Sequence, residues 1–213
     1  MTDANHRLFA EALQAARTDD GFGPRAGAAS EPEPTALASI ALDDASGRAW
    51  LERNQREDGG FALVAGPVVN DAATGLCALA LGSGAARERA LDHVIVTRAR
   101  TIASSADAPH DPNVLGWAWT NGTFGWVEPT SHALLALQAL RPDAASEQIA
   151  DGRGLLADRE CDGGGWNYGN TIVLGVALEP YAQTTGIALV ALQDADTALA
   201  QRGLAALRRL WPK

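Results

Sequence analysis

The chain has 213 residues, of which 46% are hydrophobic, and this is enough for one sizeable core or a short array of stacked units. Its net charge of −9 excludes DNA and RNA as expected partners, because nucleic-acid affinity rests largely on Lys and Arg. Ala and Leu are abundant and aromatic residues make up only 6%, a balance that favours helices over an all-β fold.

An internal repeat predicts four packed helices. Segments of eight residues that begin with Thr35, Thr74, Thr130 and Thr185 align without gaps, and each ends in Ala-Leu. Small residues recur three and six places after each threonine, and positions three apart share one face of a helix. Such a face lets a neighbouring helix approach closely. We therefore predict inner helices over residues 34–42, 71–82, 130–141 and 183–193.

The segments between these copies are more polar and keep a helical periodicity. They predict outer helices over residues 4–17, 44–55, 84–100, 144–157 and 196–210. The chain is thus expected to be all-α, with repeated helical hairpins in a single domain that spans residues 1–213.

Each repeat threonine follows a turn that combines glycine with an aromatic residue, at residues 20–23, 58–61, 124–126 and 162–167. Phe22 precedes Thr35 by 13 residues, and Phe61 precedes Thr74 by the same 13. The third turn lies nearer to its threonine than this spacing, and the fourth turn lies farther from its threonine.

Apolar stretches such as residues 172–178 are much shorter than the roughly 20 residues that span a bilayer. The first residues lack the basic and apolar parts of a secretory signal. A cytoplasmic protein that does not span a membrane is therefore expected. Cys77 and Cys161 form neither a disulfide framework nor a paired zinc motif, so we expect reduced thiols, no metal and no cofactor.

One stretch of the repeat resembles a known family. Gln55, Gly59 and Phe61 stand at the places of the glutamine-tryptophan repeat of squalene and oxidosqualene cyclases, and residues 160–166 form a second copy with Glu160 in place of glutamine. The chain thus resembles the superfamily of terpenoid cyclases and protein prenyltransferases. The resemblance implies an α/α toroid, whose inner helices surround an apolar cavity and whose outer helices form a second ring.

A full toroid of that superfamily has six hairpins, so four inner helices imply a shortened or open ring. Open ends expose apolar surface, which makes a protein partner or a homo-oligomer an expectation. The resemblance implies an isoprenoid or other apolar small molecule as the ligand. The alternative is a noncatalytic helical-repeat module that binds a protein partner.

The usual catalytic signatures of the superfamily are missing. The sequence has no Asp-x-Asp-Asp cluster of the cyclases, and the Cys and His that bind zinc in prenyltransferases have no counterparts beside Asp71 or at residues 181–184. Whether the protein is an enzyme is therefore left open, and any enzyme would be a divergent one.

Candidate polar residues lie where the inner helices begin. Glu33 and Glu128 each precede a repeat threonine by two residues, and Gln183 holds the same place in the last copy. They are either helix-start signals or contacts to a ligand at the positive end of the helix dipole. We take Glu128 as a candidate acid or base, and Glu33 and Gln183 as candidate substrate contacts.

His132 interrupts an apolar stripe, because the other copies have Leu or Ile at its place. It is either a buried core histidine or a catalytic one, and it joins Glu128 and Asp71 as a candidate acid or base. Glu128 lies four residues before His132, so the two are expected to meet at a shared cavity.

Aromatic residues could shape an isoprenoid pocket, because their π faces stabilise positive charge. Trp126 and Trp166 are interpreted as parts of the turns that pack on neighbouring helices. Trp117 and Trp119 lie outside that register and, with Tyr181, are the candidate substrate contacts.

Overall fold

The structure is a computed structural model that describes residues 3–62, 70–101, 110–111, 113–192 and 197–211. It divides into two compact units, Met1–Val94 and Ile95–Lys213. Each unit contains two copies of the same element, a helical hairpin introduced by an aromatic turn.

The first unit begins with helix α1 and a small antiparallel pair, β1 with β2, and continues with two hairpins, α2–α3 and α4–α5. The last turn of α5 runs into the second unit. The bounds are Asp3–Ala15 for α1, Arg17–Thr18 for β1, Gly21–Phe22 for β2, Pro32–Leu42 for α2, Ala45–Asn54 for α3, Thr74–Ala80 for α4 and Ala85–Val96 for α5.

The second unit contains the hairpins α6–α7 and α8–α9, with a second antiparallel pair of strands, β3 with β4, before α8. The bounds are Val127–Leu140 for α6, Ser146–Asp158 for α7, Ile172–Val173 for β3, Val176–Ala177 for β4, Ala182–Ala191 for α8 and Thr197–Leu210 for α9.

All four inner helices and all five outer helices of the prediction are present. Helix α4 is shorter than predicted, because residues 71–73 form a turn before it and the backbone at Leu81 is extended. Residue 193 and residue 196, at the predicted ends of two helices, lie outside the described residues.

Inner helices pack side by side within each unit, α2 against α4 and α6 against α8. Outer helices α3, α7 and α9 pack against their own inner helices. The predicted small face lies inside these contacts except at the end of α2, where Ala41 is exposed. The side chains three places after each threonine are at most 3% exposed; they are Ala38, Cys77, Ala133 and Ala188.

The repeat threonines fasten each inner helix to the turn before it. Each hydroxyl is buried and accepts a hydrogen bond from the backbone N–H of an aromatic residue, at 2.9 to 3.0 Å. Each also donates to the carbonyl of that residue. The pairs are Phe22 with Thr35, Phe61 with Thr74, Trp117 with Thr130, and Trp166 with Thr185. We call each pair a threonine clamp.

The third clamp corrects the sequence interpretation. Trp117, and not the turn at residues 124–126, pairs with Thr130, so the 13-residue spacing holds in three repeats and lengthens to 19 in the fourth. Trp117 is therefore in the repeat register, and it was wrong to place it outside. Trp126 instead stands at the N-cap of α6, where its N–H donates to the carbonyl of Trp117.

Small residues on the outer helices make room for the clamp aromatics. A Cβ atom at Gly152 would lie 3.2 Å from the Trp117 ring, and one at Gly203 would lie 2.6 Å from the Trp166 ring. The outer helix therefore presses directly onto the aromatic ring of its own repeat.

The glutamine-tryptophan-like positions connect consecutive outer helices. The Gln55 amide donates to the carbonyls of Gly59 and Ala86, at 2.9 and 2.8 Å. In the last repeat Glu160 accepts two hydrogen bonds from Arg202, both at 2.8 Å. These side chains tie each turn to the next outer helix, which is a structural role.

Candidate functional site

Helix α6 carries two of the predicted acid–base residues. Glu128 lies in its first turn and is half-buried, whereas His132, one turn later, is only 5% exposed. Within the described part of the chain no hydrogen bond joins the two side chains. The expectation that they meet at a shared cavity stays a prediction.

Burial moves both groups towards their neutral forms. It raises the pKa of the Glu128 carboxyl, and it lowers the pKa of the His132 imidazole to about 4. An acid that holds its proton more tightly and a neutral imidazole therefore lie on one inner helix, in surroundings that disfavour charge.

We predict that His132→Leu makes the protein more resistant to acid. The native imidazole must stay neutral at a pH where the unfolded chain binds a proton, so stability is lost as pH falls from 6.5 towards the folded pKa of about 4. When the pH falls from 7 to 5, the free energy of unfolding of the variant should rise by about 2 kcal/mol relative to that of the parent. Urea unfolding at both pH values measures this difference. A difference that does not change with pH would contradict the burial of a neutral His132.

Asp71 belongs to a partly buried charged cluster in the first unit. One carboxylate oxygen lies 2.9 Å from Nε2 of His93, and the other lies 2.5 Å from the Arg56 guanidinium. Nδ1 of His93 lies 2.9 Å from the carbonyl of Asp58, whose carboxylate also pairs with Arg56 at 3.0 Å. The Asp71 and His93 side chains are 5% and 7% exposed. We call these four residues the Asp71 cluster.

Burial alone would lower the pKa of His93, but the hydrogen bond and charge of Asp71 outweigh it and raise this pKa. The pair therefore stabilises the fold most below pH 6.5, and that contribution is lost as pH rises through the elevated pKa. One oxygen of Asp71 faces the Arg56 guanidinium and the other faces the His93 imidazole, which is a geometry for holding helices together and leaves little freedom for proton transfer to a ligand.

No pattern in the sequence singles out His93 or Arg56. The fourth repeat shows why the pattern gave no signal, because the equivalent places there are uncharged: they are Cys161, Gly163, Ala182 and Ala206. The cluster is thus an addition to one repeat and not a requirement of the fold.

An apolar groove lies beside inner helix α2 in the first unit. Its volume is about 630 Å³, and α1, α2 and the loop after β2 form its walls. Carboxylates and one cation stand among its apolar side chains. The main lining residues are Phe9, Leu13, Phe22, Pro24 and Leu37, with Arg25, Glu31 and Glu33.

Glu33 and Leu37 of the groove hold the same repeat places as Glu128 and His132 on α6. The face of an inner helix that carries these places is therefore the face that meets the groove in the first repeat. Neither Glu128 nor His132 lines this groove.

A smaller pocket of about 130 Å³ lies in the second unit. It is lined by Trp126, Asn167, Tyr168, Asn170, Leu178 and Tyr181. Trp126 and Tyr181 are the N-cap residues of α6 and α8, so the pocket stands where two adjacent inner helices begin.

The remaining candidates are dispersed. Trp117 is 6% exposed and has the Arg98 guanidinium 4.9 Å from its ring centre. Trp119 is half-buried, and Gln183 is exposed in the first turn of α8. Of the candidates, Glu33 lines the groove of the first unit, Tyr181 lines the pocket of the second unit, and Glu128 and His132 lie four residues apart on α6.

No described helix is long and apolar enough to cross a membrane. In the same part of the chain, no three His, Cys, Asp or Glu side chains are grouped as a metal would require.

No protein-family model matches the chain, and no curated protein matches it. Solved structures do. Ent-copalyl diphosphate synthase from Streptomyces platensis is 18% identical with a TM-score of 0.64, over 95% of this chain and 39% of that one. The type II terpene cyclase MstE from Scytonema is 16% identical with a TM-score of 0.65, over 97% of this chain and 63% of that one.

A variant of MstE in complex with geranylgeranyl dihydroxybenzoate, its substrate, is also 16% identical, with a TM-score of 0.63 over 97% of this chain and 62% of that one. The chain therefore spans less than two thirds of the length of these proteins. The likeness establishes the fold alone, which is the α/α helical fold of these terpene cyclases.

Proposed function

We propose that the protein binds an isoprenoid or another elongated apolar molecule, and that the groove beside α2 is part of the binding surface. The groove carries the proposal, because its 630 Å³ is typical of small-molecule sites and its walls are mainly apolar. The terpene cyclases of the same fold support this ligand class, since MstE is solved with a geranylgeranyl compound.

Two exposed aliphatic residues on α2 allow a matched test. Leu37 lines the groove, whereas Ile40 is outside it, and their side chains are 48% and 49% exposed. Geranylgeraniol binding to the purified protein would be measured by calorimetry. Leu37→Gln should weaken binding by about 1.5 kcal/mol or more, since the ligand no longer covers a leucine, and Ile40→Gln should leave it unchanged.

Equal binding by the two variants would show that the groove does not hold the ligand. Absence of binding by the parent protein to geranylgeraniol, farnesol and a fatty alcohol would remove the proposal itself.

A second, catalytic proposal does not depend on the groove and assigns Glu128 as a proton donor. Protonation of an alkene transfers the carboxylic proton to carbon and leaves a carbocation, which requires an acid that keeps its proton in a dry site. The raised pKa of Glu128 and the neutral His132 on the same helix face support this assignment. Cyclised products that form with the parent protein and are lost in Glu128→Gln, but not in the exposed control Glu147→Gln on α7, would distinguish catalysis from binding.

A further inference from the structure

The fourth repeat contains a short hairpin between the two partners of its threonine clamp. Strands β3 and β4 pair with Val173 opposite Val176, leaving Leu174 and Gly175 as a two-residue turn. Both turn residues have positive φ, +51° and +78°, which defines a type I′ turn.

The hairpin exposes a continuous run of large apolar side chains. Leu174 at the turn is 84% exposed, and Val176 is 62% exposed. Val173 is 41% exposed and Leu178 is 37% exposed. Single exposed apolar residues are ordinary on protein surfaces, but four along one short hairpin mark an interaction surface.

Leucine at position 174 destabilises the turn. A type I′ turn prefers Asn, Asp or Gly at its first central position, because a bulky side chain at positive φ is strained. The leucine side chain is mostly in solvent, so packing within the chain does not offset this strain. Strained residues of this kind are a feature of binding sites.

Two tyrosines lie at the base of the hairpin. The rings of Tyr168 and Tyr181 are 5.4 Å apart and are 49% and 50% exposed, and together with Leu178 they line the smaller pocket. Tyrosine is enriched where a bilayer meets water, because its ring is apolar and its hydroxyl is polar.

The charges in and around the hairpin indicate which kind of surface it can bind. Between Tyr168 and Tyr181 the only charged residue is Glu179, and the whole chain carries a net charge of −9. Attraction to anionic headgroups is therefore excluded as the driving force, which leaves apolar insertion.

We propose that the hairpin of β3 and β4 inserts into the interface of a zwitterionic lipid membrane, with Leu174 deepest and Tyr168 and Tyr181 at the level of the headgroups. This places the protein on a membrane surface without spanning it. The inference stands independently of the proposed isoprenoid ligand.

The test uses the whole protein and vesicles of phosphatidylcholine, with binding measured by co-sedimentation. Leu174→Asn should lower the partition coefficient at least about tenfold, since the deepest apolar side chain is lost. The same change creates an Asn-Gly pair, which suits a type I′ turn, so the thermal midpoint should stay equal or rise. Val96→Asn is the matched control, because Val96 is 76% exposed outside the hairpin, and it should bind as the parent does.

Raised salt should leave binding to these vesicles unchanged, and vesicles of phosphatidylglycerol should bind no better. The proposal is overturned if the parent protein does not bind phosphatidylcholine vesicles, or if Leu174→Asn binds as the parent does. It is also overturned if Leu174→Asn only dissociates a homodimer in sedimentation velocity. Should the asparagine variant fold poorly, Leu174→Gly makes the same test, because glycine adopts positive φ without strain.

Discussion

Trp166→Ala should unfold the fourth repeat or lower the free energy of unfolding by about 3–5 kcal/mol, the usual loss when a buried tryptophan is truncated. The Trp166 side chain is fully buried, and its indole N–H donates to the carbonyl of Leu156 at 2.7 Å. Gly203 lies directly against the ring, so the truncation leaves a cavity between the turn and α9. Urea unfolding followed by circular dichroism measures the loss.

Two further variants define the origin of that effect. Trp166→Phe should cost less than Trp166→Ala, because Phe22 and Phe61 fill the same place in the first two repeats. Trp211→Ala, at a side chain that is 71% exposed, should change stability by less than about 0.5 kcal/mol. Similar losses for Trp166→Ala and Trp211→Ala would show that the clamp aromatic does not hold the repeat together.

Asp71→Ala should destabilise the first unit by about 3 kcal/mol. It leaves His93 and Arg56 facing a site without its carboxylate, and removing one partner of a buried ion pair typically costs about 3–5 kcal/mol. The lower figure applies because the Arg56 side chain is 29% exposed and keeps Asp58 as a partner. Arg53→Ala, which removes an exposed ion pair with Asp20, should cost less than about 1 kcal/mol.

A double-mutant cycle measures the interaction energy between Asp71 and His93 separately from the effect of losing either side chain. The fourth repeat has Ala182 and Ala206 at the places of Asp71 and His93, so the scaffold accepts alanine at both. Asp71→Ala combined with His93→Ala should therefore lose about 1–3 kcal/mol less than the sum of the single losses. Additive losses would mean that the two residues act separately and that the 2.9 Å contact between them contributes little.

The helical repeat was predictable because its signal is local. The small residues after Thr35, Thr74, Thr130 and Thr185 recur at fixed intervals, and all of them except Ala41 are buried as expected. The third turn was assigned wrongly because residues 124–126 also combine glycine with aromatics close to Thr130. The 13-residue spacing of the first two clamps, applied to Thr130, leads directly to Trp117.

The candidate functional residues were less predictable than the helices, because their contacts join residues that are far apart in the sequence. His93 meets Asp71 across 22 residues, from an outer helix whose periodicity gives no reason to single it out. The strands of β3 and β4 have two residues each, too short for an alternating pattern, and residues 172–178 were seen only as an apolar stretch. Glu33, by contrast, was found from its place before the repeat threonine and does line the groove.

The threonine clamp also explains where this chain can tolerate extra length. Its two partners are fixed by hydrogen bonds, so a longer segment between them changes mainly the entropy of closing a loop. Lengthening that loop from 13 to 19 residues costs only about 0.3 kcal/mol by the logarithmic dependence of loop closure. Each repeat thus offers a place where new sequence can arise at almost no expense in stability, and in the fourth repeat that place is occupied by the apolar hairpin.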